Sequence, residues 1–259
     1  MVSKKLHRLV RSLHSKKYRK KENLFFVEGE KSTVELLQAN FSIKTLIATP
    51  LFLNKHGKAI QQAIAKGKVG QTIESNANTL AELGSLKTND AALAVVEIPA
   101  WDKEPETIQG WALALDAVND PGNLGTIIRI ADWYGISQIV CSEDTVDMFN
   151  PKVINASKGS FLRVQVYNTN LADWLVKQSA PAFGADLHGQ DVHTFNFPGS
   201  GVLVMGSESH GISEEISQHL QGRLTIPAYG EAESLNVGVA TAIICDNLRR
   251  LHPHLSVPK

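Results

Sequence analysis

The pattern of hydrophobic and polar positions alternates between short apolar runs and amphipathic stretches along most of the chain. In the first hundred residues the apolar runs predict four strands, at 24–27, 43–48, 69–73 and 91–96. Stretches with helical spacing separate them, at 31–39, 58–65 and 78–83. This alternation predicts a small α/β domain over residues 22–98.

A second α/β region follows a polar segment. Residues 99–107 contain two prolines and predict a linker. Residues 111–118 are almost continuously apolar, which is typical of a strand covered on both faces of a sheet. Later strands are predicted at 136–141, 162–167, 181–185, 202–205 and 223–226. Helices are predicted at 124–133, 151–158, 171–178, from about 213, and at 236–250. The second domain therefore spans residues 108–259.

The first 21 residues form a basic N-terminal arm. Its apolar residues recur at helical spacing, namely Leu6, Leu9, Val10 and Leu13. Its cations are Lys4, Lys5, Arg8, Arg11, Lys16, Lys17, Arg19, Lys20 and Lys21, and it contains no Asp or Glu. One interpretation is a short solvated helix docked on the body. The other is a helix that contacts phosphates, which the absence of acidic side chains favours.

Composition narrows the class of protein. The chain has 259 residues, of which 43% are hydrophobic and 20% charged, so a packed core is expected and general disorder is excluded. Apolar runs are too short for a membrane helix, and no secretory signal is expected. Cys141 and Cys245 are the only cysteines, which excludes a disulfide framework and fits the cytoplasm. The net charge is zero, but outside the arm 17 basic side chains face 26 acidic ones, a net charge of −9.

Three loops carry candidate chemistry, and the first is segment 119–125, Asn-Asp-Pro-Gly-Asn-Leu-Gly. These residue types favour turns, and Asn123 is placed to cap the following helix. The N–H groups at a helix start attract anions. Arg129 lies one turn after Gly125, so its side chain leans towards the loop. The alternative for Arg129 is an ion pair with Asp132 on a solvated helix face.

The second and third loops are ambiguous when each is taken alone. Segment 206–211, Gly-Ser-Glu-Ser-His-Gly, lacks both the P-loop and the G-x-G-x-x-G spacing, and is typical of a tight turn. Segment 226–237 starts the last helix, where Ser234 or Asn236 is placed as the N-cap. All three loops follow predicted strands, at the edge where open α/β sheets bind ligands. Their convergence predicts a binding site without naming its chemistry.

Together the three loops resemble the motifs of the SpoU/TrmH family. The matching segments are 116–129 (DAVNDPGNLGTIIR), 204–212 (VMGSESHGI) and 226–237 (IPAYGEAESLNV). The spacing, 20 positions from Gly206 to Ile226 and nine from Ile226 to Leu235, is also similar. The resemblance covers residues 108–250. Residues 22–97 more loosely resemble a small ribosomal-protein-like RNA-binding domain.

This resemblance implies a SPOUT-class enzyme that transfers the methyl group of S-adenosylmethionine to a ribose 2′-hydroxyl of rRNA or tRNA. It implies a trefoil-knotted C-terminal α/β domain behind the RNA-binding domain. It also implies a homodimer with cofactor pockets near its interface. No metal is expected to take part, because the sequence shows no HExxH motif or Cys/His ligand spacing. No membrane is expected either, because the apolar runs are short.

The resemblance also implies roles for individual residues. Catalytic positions are Arg129, Asn123, Glu208, Ser234 and Asn236, and cofactor-binding positions are Gly206, Ile226, Pro227, Ala228 and Leu235. Expected RNA contacts are Lys4, Lys5, Arg8, Arg11, Lys16, Lys17, Arg19, Lys152 and Lys158. Asn155 stands where the family often has an arginine. We expect Arg129 to clamp the phosphate next to the target ribose, because a guanidinium with a pKa above about 12 is a poor base.

Three other functions remain open on the sequence. The first is an RNA-binding protein without catalysis, which the intact loop residues disfavour. The second is a nucleotide-dependent oxidoreductase, which should carry a glycine-rich fingerprint after its first strand. The third is a SPOUT enzyme that methylates a base nitrogen, which the Ser-Leu-Asn sequence at 234–236 disfavours.

Overall fold

The computed structural model describes residues 2–101, 104–108 and 110–253. It divides into two compact units. Unit 1 comprises residues 1–101 and 147–162, and unit 2 comprises residues 102–146 and 163–259. Parts of the predicted linker and the last six residues of the predicted second domain lie outside the described residues. The predicted α/β class is confirmed, since each unit contains one sheet with helices.

Unit 1 is built on a four-stranded mixed sheet. Its strands are β1 (Leu24–Glu28), β2 (Ile43–Ala48), β3 (Val69–Glu74) and β4 (Ala92–Glu97). Its helices are α1 (Lys4–Ser12), α2 (Lys16–Glu22), α3 (Glu30–Gln38), α4 (Pro50–Lys55), α5 (Gly57–Ala65), α6 (Ala77–Leu83) and α8 (Pro151–Ser157). The strand order is β1-β4-β2-β3, with β4 antiparallel to both neighbours and β2 parallel to β3.

The basic arm is packed against the rest of unit 1. It forms two helices rather than one, because α1 ends before Leu13 and α2 begins after Ser15. Val10 and Leu13 are fully buried in a core cluster with Leu24, Phe26 and neighbouring residues. The apolar stripe therefore docks α1 on the body, while its polar face remains in solvent.

A late segment of the chain completes unit 1. Residues 147–162 carry α8 and a 3-10 turn at Ser160–Leu162, and α8 packs against β1. The ring of Phe25 on β1 contacts Phe149 and Phe161, at centroid distances of 4.7 and 6.2 Å. The predicted domains follow sequence order, whereas the compact units follow contacts, and the two divisions differ at this segment.

Unit 2 is built on a six-stranded sheet in which every neighbouring pair is parallel. Its strands are β5 (Trp111–Leu115), β6 (Gln138–Cys141), β7 (Gln165–Asn168), β8 (Ala182–Asp191), β9 (Gly201–Met205) and β10 (Gly222–Thr225). Its helices are α7 (Pro121–Trp133), α9 (Leu171–Val176), α10 (Glu214–Ser217) and α11 (Val237–Leu251). Within the described part of the chain, no helix has the length and apolar character to cross a membrane.

The strand order of unit 2 determines where a ligand can bind. The order is β10-β8-β9-β5-β6-β7, so the chain runs outward from β5 in one direction and later fills the other side. Open parallel sheets bind ligands beyond the carboxyl ends of their strands, near such a reversal. The predicted loops follow β5, β9 and β10. Their placement at one edge of the sheet is therefore confirmed.

Candidate active site

The first loop ends in a capped helix that leaves Asn123 available. Asp120 is the N-cap of α7, and its Oδ1 accepts a hydrogen bond from the Asn123 main-chain N–H at 2.9 Å. Pro121 occupies the first turn, where the missing N–H has no cost. The prediction that Asn123 caps this helix is therefore wrong. Because Asp120 takes that role, the Asn123 side chain can bond elsewhere.

The second loop is closed on itself after β9. Ser207 and Gly211 exchange two main-chain hydrogen bonds of 3.1 and 2.9 Å. A Cβ atom on Gly206 would overlap the main chain of Gly211 and Ile212, so only glycine fits there. Gly211 has a φ of +67°, in the left-handed region that favours glycine. This tight turn places Glu208 at its exposed tip.

The third loop follows β10 and ends at the start of α11. Asn236 is the N-cap of α11, and its Oδ1 accepts hydrogen bonds from the N–H groups of Gly238 and Val239, at 3.0 and 3.3 Å. Of the two N-cap candidates, Ser234 and Asn236, the structure selects Asn236. The cap leaves the Nδ2 group of the same side chain free to point towards the other loops.

A chain of hydrogen bonds joins all three loops. The Nδ2 of Asn236 donates to Asn123 Oδ1 at 2.9 Å, and the Nδ2 of Asn123 donates to Glu208. Each amide therefore uses both of its polar ends, which fixes the orientation of the side chains. Asn123, Glu208 and Asn236 are brought together as predicted. We call these three residues the polar relay.

A cavity of about 850 Å³ opens beside the relay in unit 2. It is lined by every predicted cofactor-binding residue, namely Gly206, Ile226, Pro227, Ala228 and Leu235. Glu208 and Ser234 also line it. The volume lies within the usual range for small-molecule sites, and apolar walls with a few converging polar groups are typical of such sites.

One wall of this cavity was not found from the sequence. Strand β8 changes register against β10, so that Gly184 and Gln190 pair with the adjacent residues Arg223 and Leu224. The five residues 185–189 therefore loop out, and Asp186 in this excursion pairs with Arg223. Partial burial raises the pKa of Asp186, but hydrogen bonds from the His188 main chain and from Arg223 outweigh it and hold that pKa below its usual value.

Arg129 and Ser234 are the two predicted catalytic residues that the structure does not connect to the relay. Ser234 is exposed at the cavity wall. Arg129 is exposed on α7 and makes no hydrogen bond or ion pair to the other residues that the structure describes. The alternative interpretation, an ion pair with Asp132, is not found. Asp132 instead accepts a fork of hydrogen bonds from Arg163, with distances of 2.8–3.1 Å. An unpaired, exposed guanidinium can bind an external anion.

The predicted RNA contacts lie in unit 1 and fall into two groups. Most are exposed: Lys4, Lys5, Arg8, Arg11, Lys16, Lys17, Lys152 and Lys158. Arg19 departs from this expectation, since it is only 2% exposed and forms an ion pair with Asp147. Asn155, near Lys152 and Lys158, donates to Glu28 Oε1 and Ser85 Oγ at 2.9 and 3.0 Å.

The two cysteine thiols are buried and unreactive, and no metal site is found among the described residues. Cys141 and Cys245 are free and fully buried, and burial raises the pKa of both thiols, that of Cys245 to about 12. Such thiols are poor nucleophiles. Among the residues that the structure describes, no group of three or more His, Cys, Asp or Glu side chains is placed to hold a metal ion.

Comparison with known proteins identifies two family models in the chain. The SpoU rRNA methylase family matches residues 110–246, and an MRM3-like substrate-binding domain matches residues 7–94. The second match includes most of the basic arm. The three active-site loops all lie within the first match.

Individual relatives match over nearly the whole chain. A Bacillus subtilis protein, 23S rRNA (guanosine(2553)-2′-O)-methyltransferase RlmP, is 31% identical over 243 residues, or 92% of this chain and 94% of the relative. A TrmH-family structure from Porphyromonas gingivalis is 36% identical, covers 96% of this chain and 99% of its own, and gives a TM-score of 0.82. The structure of an AdoMet-bound rRNA methyltransferase from Sinorhizobium meliloti is 28% identical, covers 96% of this chain and 97% of its own, and gives a TM-score of 0.84. This chain therefore belongs to the SpoU/TrmH family of RNA methyltransferases.

Proposed function

We propose that this protein transfers the methyl group of S-adenosylmethionine to a ribose 2′-hydroxyl of RNA. The observation that carries the proposal is the polar relay, which joins three loops distant in sequence beside a cavity of about 850 Å³. The Bacillus subtilis relative is named for a guanosine of 23S rRNA, which favours ribosomal RNA over tRNA as the substrate.

The cavity suits the proposed donor. Gly206 lets its loop close tightly at the cavity wall, because any Cβ at that position would collide with Gly211 and Ile212. Ile226, Pro227 and Leu235 supply apolar walls for a flat adenine ring, and Ala228 leaves room at the mouth. When bound, S-adenosylmethionine supplies a methyl group that its sulfonium charge already activates.

The chain's own residues have to orient the RNA and ease loss of the hydroxyl proton. Arg129 grips the phosphate next to the target ribose through the fork of its guanidinium, which lowers the effective pKa of the hydroxyl. Asn123 and Asn236 hold the loops in register, and Glu208 and Ser234 shape the mouth. Alignment of this kind supplies up to roughly 7–11 kcal/mol of barrier reduction in favourable cases.

We also propose a homodimer formed through the outer face of unit 2. The side chains of Trp133 on α7 and Val239 on α11 are 83% and 48% exposed, and α7 packs against α11. Tyr229 and Leu235, which line the cavity, are 94% and 48% exposed. Large exposed apolar side chains mark protein interfaces. Light scattering should give twice the chain mass, and Trp133→Ser should shift the population towards the monomer.

Three finer expectations belong to the same proposal. The return of α11 onto α7 after the outermost strand β10 supports a trefoil-knotted C-terminal domain. The mixed sheet of unit 1 supports a ribosomal-protein-like RNA-binding domain, with residues 1–21 as its arm, residues 22–98 as its body and a linker at 99–107. The two buried, free thiols support a reducing compartment such as the cytoplasm.

The deciding experiment uses labelled S-adenosylmethionine, the purified protein and unmodified rRNA transcripts. Label should enter 23S rRNA, and nucleoside mass spectrometry should recover a 2′-O-methylated ribose. Recovery of a methylated base would identify a base-nitrogen enzyme instead. RNA binding with no cofactor binding would identify an RNA-binding protein on the same scaffold.

A further inference from the structure

Arg19 is the one cation of the arm whose environment resembles that of a core residue. It sits on α2 between exposed neighbours, yet only 2% of it is exposed. Its Nε and Nη2 both donate to Asp147 Oδ2, at 2.9 and 2.7 Å. Its Nη1 donates to the carbonyl oxygens of Leu13 and His14, at 2.8 and 3.0 Å. All three nitrogens of the guanidinium therefore donate inside the protein, and it cannot reach RNA in this conformation.

These bonds are placed where the arm needs support. Leu13 and His14 form the connection between α1 and α2, so Nη1 fixes the angle between the two helices. A turn with exposed backbone carbonyls is a natural hinge, because its polar groups can exchange protein partners for water. Arg19 removes that freedom by holding both carbonyls on one group.

Asp147 is the first residue of the late segment of unit 1, so its ion pair with Arg19 joins the arm to that segment. Its Oδ1 accepts a hydrogen bond from the Phe149 main-chain N–H at 3.1 Å. The ring of Phe149 packs on Phe25 of β1, at 4.7 Å between centroids. Both α2 and α8 pack against β1, which is an edge strand of the sheet. The arm and segment 147–162 are therefore tied to one strand and to each other.

We propose that Arg19 is a positioning residue for RNA binding, which holds the two-helix arm in a fixed relation to segment 147–162 so that both present their lysines together to RNA phosphates. The cations placed in this way are Lys4, Lys5, Arg8, Arg11, Lys16, Lys17, Lys152 and Lys158. This inference rests on the proposed function, which supplies RNA as the ligand. A surface ordered before binding loses less conformational entropy when the RNA docks.

The test uses a substitution for which simple electrostatics and the proposal predict opposite changes in RNA affinity. Asp147→Asn makes the protein more basic by one charge, so simple electrostatics predicts tighter RNA binding. If Asp147 positions the arm through Arg19, binding weakens instead, because the substitution leaves a buried guanidinium without its counter-charge. We expect Kd for a labelled 23S rRNA transcript to rise about tenfold or more, because the arm and segment 147–162 are no longer held in place before the RNA binds.

Glu22→Gln is the matched control. Glu22 ends α2, is exposed, and has no hydrogen bond or ion pair to other described residues. The substitution changes the charge of unit 1 by the same amount as Asp147→Asn and should leave RNA binding unchanged or tighter. Asp147→Asn binding that equals or exceeds that of the wild type, as for Glu22→Gln, would overturn the proposal.

Two further measurements separate positioning from a contact or a fold defect. Hydrogen exchange should show faster exchange of amides at 4–22 in Asp147→Asn, with unchanged protection in unit 2. KM for RNA should rise while kcat at saturating RNA and the affinity for S-adenosylmethionine stay at wild-type values. Arg19→Lys, which keeps the charge but cannot reach all three acceptors, should fall between the wild type and Arg19→Met.

If Arg19 touched RNA itself, Arg19→Met would lower the salt slope by about one and leave the arm amides protected, which contradicts the proposal. The proposed function fails by a different result. If wild-type protein incorporates no methyl label into any RNA, the proposed methyltransferase activity is wrong. The comparison of RNA binding by Asp147→Asn and Glu22→Gln still decides the role of Arg19.

Discussion

Arg19 in unit 1 and Arg129 in unit 2 carry the same side chain in opposite environments. Arg19 is buried, and each of its three guanidinium nitrogens donates to Asp147 or to a main-chain carbonyl. Arg129 is exposed and pairs with no other described residue. A buried guanidinium that is hydrogen-bonded within the protein contributes to structure. An exposed guanidinium next to a loop, such as that of Arg129, is available to a ligand. The environment of the donor, not the residue type, distinguishes the two roles.

The same contrast applies to the regions around them. The arm of unit 1 is held by its buried side chains, Val10, Leu13 and Arg19, and its exposed lysines lie on the opposite, solvated side of its helices. The three loops of unit 2 are held at their tips by the polar relay, which itself lies in solvent at the cavity mouth. Donor binding and RNA binding should therefore be separable by substitution in the two units.

The largest effect is expected at Gly206 in unit 2, where a substitution should affect binding of the methyl donor but not binding of RNA. Gly206→Ala places a Cβ against the main chain of Gly211 and Ile212, which no rotamer change can relieve. We expect calorimetry to show loss of S-adenosylmethionine binding, with RNA binding retained. Gly230→Ala is the control, because the space around a Cβ there is open although Gly230 also lines the cavity. Equal donor affinity in both variants would contradict the assignment of the cavity.

The next effect is expected at Arg129. Arg129→Lys keeps the charge but loses the fork, and misplacement of a reacting group by about 1 Å can cost roughly 100-fold in rate. We therefore expect the rate constant of methyl transfer, measured in single-turnover reactions, to fall about 100-fold. The affinity for the donor should not change. A turnover near that of the wild type would refute the phosphate clamp.

A smaller effect is expected from the exposed lysines of the arm. Deletion of residues 1–21 would remove Val10 and Leu13 from the core, so it would confuse binding with stability. Substitution of Lys4, Lys5, Lys16 and Lys17 by Gln avoids this problem. The slope of log Kd against log salt should fall by up to about one for each lysine that contacts a phosphate. An unchanged slope would show that the arm does not bind RNA.

The smallest effect is expected at Asn236. Asn236→Asp retains the acceptor that caps α11, so the Tm should remain near that of the wild type. It loses the donor to Asn123 Oδ1 and places two oxygens together, which should disturb the relay and lower kcat several-fold. Asn236→Ala also removes the cap and should cost about 1 kcal/mol of stability. Equal Tm values for the two variants would show that the cap is unimportant.

Local patterns in the sequence were enough to predict most regular elements. The predicted bounds of β2, 43–48, match the structure, and the three loops were placed after the correct strands. Helix α4 was missed, although Thr49 followed by Pro50 is a recognisable helix start. The N-cap of α7 is Asp120 rather than Asn123, and Pro121 after it is the sequence signal that marks the first helical residue.

Contacts between distant residues could not be predicted in this way. Asn123 and Asn236 are 113 positions apart, and Arg19 and Asp147 are 128 apart. In the arm Arg19 is one of nine cations, and no local pattern shows that it is buried. The loop-out at 185–189 was missed for a related reason, since its register depends on pairing with β10. Such features arise from tertiary packing rather than from local preference.

The late segment of unit 1 has a consequence for biosynthesis. The Glu28 carboxylate is 3% exposed and accepts from the main chain and hydroxyl of Ser85, the main chain of Leu86, and Asn155. A nascent chain that has emerged only to residue 101 lacks Asn155, Asp147 and the ring of Phe149. The amino-terminal body therefore cannot reach its final packing on the ribosome until residue 162 has emerged, by which time residues 102–146 of unit 2 have already been synthesised.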